Sequence, residues 1–145
     1  MNSTMLYAEY KTIMQKIADV KYASAILQWD QETYLPPKGN EMRGRQIATL
    51  SEIAHNQFTD KKLGSLLAEL SSKENLDDKQ KKNISLTLED YNRNKKFTGE
   101  FVRRMSEAVN KSFHSWVSAR KENSFRVFEQ SLDELVQLKK QEAIY

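Results

Sequence analysis

The stretch Leu6–Leu27, LYAEYKTIMQKIADVKYASAIL, decides the fold class. Leu6, Tyr10, Ile13, Ile17, Val20 and Leu27 recur at helical steps, which puts them on one stripe of a long amphipathic helix. Ser3 or Thr4 is the expected cap. Pro36-Pro37 forces an end, because proline lacks a donor and disfavours helix in the residue before it. The same periodicity continues downstream. A second helix is expected from near Gly39–Glu41 with Ile47, Leu50, Ala54 and Phe58, and a short third one capped by Thr59 or Asp60 with Leu63, Leu66, Leu67 and Leu70. After the polar stretch Ser71–Glu74, Asn75 and Asp78 resemble a capping box for a fourth helix through Ile84, Leu88 and Tyr91.

Thr98-Gly99-Glu100 caps a fifth helix bearing Phe101, Met105, Val109, Phe113 and Trp116. Asn123 or Ser124 caps a sixth with Phe125, Phe128, Leu132, Leu135 and Leu138. No segment alternates with period two. The expected architecture is all-α, about six helices in an antiparallel bundle-like array with a long first helix. The last helix is expected to run to Tyr145 with no stop signal, as in an excised piece of something longer.

The 145 residues fit a single helical domain spanning residues 1–145. Such a chain hides roughly 70% of its unfolded surface, enough for a real core. Four glycines and two prolines argue against a turn-rich β sandwich and against a glycine-lined phosphate loop. The absence of cysteine excludes disulfides, thiolate zinc sites and cysteine nucleophiles, and suits a reducing cytoplasm. No apolar run approaches the ~20 residues needed to cross a bilayer. The net charge is +3 and its basic clusters alternate with acids, so they read as solvated faces; nucleic acid is an unfavoured partner.

The chemistry-bearing residues were tested in turn. Neither His55 nor His114 belongs to an H-E-x-x-H helix, so the zincin arrangement is missing. Glu52 and His55 match the Glu-x-x-His spacing of a di-iron bundle, but the residue three before His114 is Lys111, and the required second pair is absent. Glu52 and His55 therefore read as a surface helix pair. Asp30 and Glu32, two apart, aim at different sides of a helix. No catalytic constellation emerges, and no catalytic or metal-ligating residue is assigned in this chain.

Two segments place tryptophan among polar residues: Trp29-Asp30-Gln31-Glu32-Thr33, with Tyr34 and Pro36 following, and Trp116 with Arg120, Asn123 and Phe125. Two readings stand. In one, each Trp packs in the core and Arg120 pairs with a carboxylate such as Asp30. In the other, the Trp29–Tyr34 corner faces a groove, with Trp29, Asp30, Gln31, Glu32, Thr33, Trp116 and Arg120 as groove or motif residues.

These segments resemble the N-terminal part of the carboxypeptidase Taq family of HExxH-type zinc metallocarboxypeptidases. The likeness runs through Trp29–Thr33, Pro36, Glu41, Arg43, Gln46 and Leu50, then Trp116, Ala119, Arg120, Asn123, Phe125, Phe128, Leu132, Leu135, Lys139 and Glu142. It extends from about Tyr7 to Ala143, with Gln130 where the family often has Pro. The resemblance implies a groove-wall region of a longer, commonly dimeric enzyme that removes C-terminal residues from peptides. In that family the zinc ligands lie well downstream, so zinc, the peptide substrate and the catalytic part belong to the complete enzyme. This chain alone is expected to be inactive and to self-associate. A stand-alone helical interaction module without enzymatic activity is the alternative.

Overall fold

Six helices form in the computed structural model, which describes residues 2–145. Helix α1 spans Ser3–Thr33, α2 Asn40–Phe58, α3 Lys61–Ser71, α4 Asp78–Asn94, α5 Gly99–Glu122 and α6 Arg126–Glu142. A single 3-10 turn, Pro37–Gly39, joins α1 to α2. No strand occurs among the described residues. The all-α array with a long first helix is the one the periodicity dictates.

The caps show where local chemistry prevails and where packing shifts it. Asn2, not Ser3 or Thr4, caps α1, its side chain accepting from the Thr4 amide at 3.1 Å; Ser3 is buried inside the first turn. Asp60 caps α3 at 2.7 Å from the Lys62 amide, and Thr98 caps α5 at 3.1 Å from the Phe101 amide. The N-cap of the fourth helix lies two residues after Asn75: Asp77 and Gln80 make the reciprocal capping box. Leu76, just ahead, is buried, so the chain enters the core before it can turn into helix.

Asn123 ends α5 rather than beginning α6. It adopts the left-handed conformation (φ 48°, ψ 42°) that asparagine tolerates better than most residues, and its amide bonds the Ala119 carbonyl. Helix α6 has no side-chain cap. Nor does it run to Tyr145: it stops at Glu142, and the Tyr145 ring turns back to sit 5.4 Å from both Phe97 and Phe101.

Two apolar clusters result. The larger gathers Leu6, Tyr10 and Ile17 of α1, Phe58 of α2, the four leucines of α3, Leu76, and Ile84 and Tyr91 of α4. Gly64 lets α3 approach α4, since a Cβ there would overlap the Tyr91 hydroxyl. Polar stitches cross from α1 to α4: Tyr10 to Thr87 at 2.8 Å and Asn83 to the Tyr7 hydroxyl at 3.0 Å. The smaller cluster joins Phe101 and Ala108 of α5 to Leu138 of α6, with Phe97, Met105 and Leu135 against it.

The expected apolar stripes on α5 and α6 are covered only in part: Phe101, Met105, Leu135 and Leu138 pack together. Beside Phe101, the buried residues of α5 are the small Ala108, Ser112 and Ala119, and Ser112 donates to the Ser131 carbonyl of α6 at 3.2 Å. Val109, Trp116 and Phe125 consequently lie on the exposed flank. Burial concentrates in the leucine cluster instead. Leu67→Ala, at a side chain with no exposed surface, should destabilise the chain by about 2–5 kcal/mol in urea unfolding, while retaining its helical circular dichroism.

Candidate functional site

The bend after α1 brings three helices together. Past Thr33, the Tyr34 and Leu35 amides both return to the Asp30 carbonyl, at 2.9 and 3.0 Å, closing the helix before the prolines. The chain then reverses, and Leu35 packs so closely beneath Gly39 that a Cβ there would sit 2.8 Å from its Cδ1. Helix α2 is thereby laid antiparallel to α1 with Arg43 opposite Asp30.

Arg43 Nη1 donates to Asp30 Oδ2 at 2.6 Å and to the Leu27 carbonyl at 2.9 Å, while Nε reaches Gln46 Oε1 at 3.1 Å. The Arg43 side chain is only 12% exposed, so one guanidinium neutralises a carboxylate and satisfies a backbone acceptor in a partly dry seam. One residue along, Gln31 Oε1 accepts from Asn110 Nδ2 of α5. Asn110 reaches α1 because it crosses α2 at Gly44, where a Cβ would lie 2.6 Å from its Oδ1. Asp30 and Gln31 are thus the α1 ends of two clamps, one to α2 and one to α5.

The other expected residues divide differently. Trp29 is exposed and stands edge-on to Tyr34, ring centroids 5.6 Å apart. Thr33 donates to the Trp29 carbonyl at 2.8 Å, and Glu32 is exposed. Trp116 is half exposed beside Phe113, at 6.4 Å, so it is not a core residue. Arg120 is exposed and forms no ion pair among the described residues; the partner of Asp30 is Arg43. The structure therefore brings Asp30 and Gln31 together with Arg43, Gly44 and Asn110, and leaves Trp29, Glu32, Trp116 and Arg120 on the surface. The reasoning from sequence missed Gly44 and Asn110. An isolated glycine inside a helical pattern was the signal available, since it marks close approach.

The histidines have separate surroundings. His55 is buried rather than a surface residue, its Nε2 2.9 Å from the Phe97 carbonyl. Glu52 instead meets Arg103 at 3.4 Å. The two do not converge, and among the described residues no three acidic or histidine side chains gather as a metal would require. These residues do not fit a zinc site. His114 is different again: its Nε2 is buried with no hydrogen-bond partner, and burial lowers its pKa below 6.5.

With this geometry in place, comparison with known proteins is informative. The family model for carboxypeptidase Taq (M32) metallopeptidase matches residues 9–145. Carboxypeptidase 1 of Bacillus subtilis is 25% identical over 138 residues, which is 94% of this chain and 28% of that protein. The solved structure of CHT is 55% identical, with a TM-score of 0.71 over 95% of this chain and 28% of its own. The crystal structure of the M32 carboxypeptidase from Deinococcus radiodurans is 31% identical, with a TM-score of 0.75 over 97% of this chain and 28% of its own. The chain thus spans a little over a quarter of the length of the relatives it matches.

Two outcomes follow from the site. Arg43→Ala removes the partner of a half-buried carboxylate and of the Leu27 carbonyl, and should cost about 1–3 kcal/mol in chemical denaturation. For His114 the folded state resists protonation, so the unfolded chain binds more protons once pH falls below about 6.5. Stability should be fully present above that value and decline as pH drops through the lowered folded pKa. Thermal unfolding of His114→Gln across the same range should show a shallower acid-side decline.

Proposed function

The chain belongs to the carboxypeptidase Taq (M32) metallopeptidase family, and we propose that it is the helical N-terminal region of a zinc carboxypeptidase, walling the groove through which a peptide presents its C-terminus. The observation that carries this reading is the family match over residues 9–145 in a chain covering only 28% of its relatives, with no H-E-x-x-H anywhere in it. The residues here supply shape rather than chemistry. Arg43, Asp30, Gln31 and Asn110 hold α1, α2 and α5 at fixed spacing, and the Trp29–Tyr34 corner and Trp116 with Arg120 present a mixed aromatic and polar surface.

In the complete enzyme a zinc ion held by residues of the remainder would supply polarisation of the scissile carbonyl and activation of water. On this reading the substrate is a peptide cleaved one C-terminal residue at a time, in the cytoplasm, and this chain alone is silent and self-associates through surface that the remainder covers. No helix among the described residues is long and apolar enough to cross a membrane.

Sequencing the source gene past the codon for Tyr145 tests the reading. An open frame encoding H-E-x-x-H is expected, together with purified chain that neither retains stoichiometric zinc nor releases C-terminal residues from a peptide. A stop codon directly after Tyr145 would instead make this an independent helical protein with a binding partner to be found.

A further inference from the structure

A cleft of about 560 Å³ is walled by α1, α2 and α4, a volume within the range of small-molecule sites. The hydrogen bonds that stitch α1 to α4 reach Asn83 and Thr87. The cleft takes in α4 from Thr87 to Asn94, where the wall carries Asp90 and Asn94. Its α1 wall carries Lys21, and Ala54, His55 and Phe58 come from α2.

The polar groups of the cleft are unequally committed. Thr87 donates to the Asn83 carbonyl and shares a hydrogen bond with the Tyr10 hydroxyl, both at 2.8 Å. His55 Nε2 lies 2.9 Å from the Phe97 carbonyl. A carbonyl only accepts, so this nitrogen holds the proton of the neutral ring and Nδ1 is left with a lone pair. Asn94 donates through Nδ2 to the Asp90 carbonyl at 2.8 Å, which leaves its Oδ1 as an acceptor. Lys21 and Asp90 form no ion pair among the described residues. The Lys21 ammonium lies 5.6 Å from the centre of the Phe58 ring, and both residues line the cleft.

A cleft with an unpaired cation on one helix and an unpaired carboxylate on another discriminates by charge. A simple anion that meets Lys21 is repelled by Asp90, and a simple cation suffers the reverse. A molecule carrying both charges satisfies both walls, and Ala54 and Phe58 offer apolar surface to the rest of it. We propose that this cleft binds a free α-amino acid with an apolar side chain, its carboxylate on Lys21 and its ammonium on Asp90. Asn94 Oδ1 and His55 Nδ1 supply further acceptors for the ammonium. The proposal stands on the cleft alone and does not depend on the functional reading above.

Nuclear magnetic resonance titration of the isotope-labelled chain with leucine tests it. Saturable shifts are expected at the amides around Lys21 and Asp90, with a Kd of about 1 mM or tighter. Leucinamide lacks the carboxylate and isocaproate lacks the ammonium, so each should bind about tenfold more weakly or worse. Lys21→Met and Asp90→Asn, both at exposed positions, should weaken leucine binding by about the same factor while circular dichroism is unchanged. Lys21→Arg keeps the charge and should hold the affinity within about threefold. Absence of saturation at about 10 mM leucine would overturn the proposal. So would equal affinity for leucine and leucinamide, or shifts that persist undiminished in both Lys21→Met and Asp90→Asn.

Discussion

Helix α2 must touch α1 and α5 at once, and the rest of the architecture depends on that requirement being met. Gly44 and the fully buried Ala48 leave room for both neighbours. Close backbone approach alone would strand polar groups, so the same seam carries Arg43 to Asp30 and the Leu27 carbonyl, and Asn110 to Gln31. These bonds are short and partly shielded, the setting in which a polar contact fixes register as well as adding stability. A slip of α2 by one residue would lose both clamps together. The small residues and the clamps therefore act as one device.

The helices were legible in the sequence because each carries its own apolar stripe and all but the last its own stop. Leu63, Leu66, Leu67 and Leu70 were expected to face inward and all four do. What could not be read were relations across the chain. Asp30 has several basic residues within reach on paper; only the turn at Pro37–Gly39 determines that Arg43 arrives there. Trp116 and Phe125 have the spacing of core residues, yet on α5 the small Ala108, Ser112 and Ala119 are buried and both large rings are exposed. Periodicity specifies a stripe but not which of two adjacent stripes is covered. Asp60 and Thr98 cap as expected, but Leu76 is claimed by the core, and the start of α4 falls at Asp77.

The same limits applied to the site. The family resemblance identified Trp29–Thr33 as a unit, but the structure divides it by direction. Asp30 and Gln31 turn inward to the clamps, while Trp29 and Glu32 face outward. Charge offers no further guide, because several of the ion pairs join neighbouring turns of one helix or sit on open surface, where such pairs contribute little. The unpartnered His114 Nε2 was invisible in the sequence, since a histidine's burial depends on how α5 is rotated against its neighbours.

The order of the helices has a consequence for how the chain acquires its shape. Helices α1 with α2, α3 with α4, and α5 with α6 are each joined by a short connection, so most native contacts form between segments close along the chain, the circumstance that favours rapid folding. The α2–α5 seam and the hydrogen bonds from α1 to α4 and α5 are the exceptions. The seam requires the loop carrying α3 and α4 to close, with the entropy cost that long loops carry. The seam between α2 and α5 therefore carries a larger loop-closure cost than the helix pairs joined by short connections. Because α5 and α6 share their own apolar cluster, that seam is what joins the C-terminal hairpin to the rest of the fold.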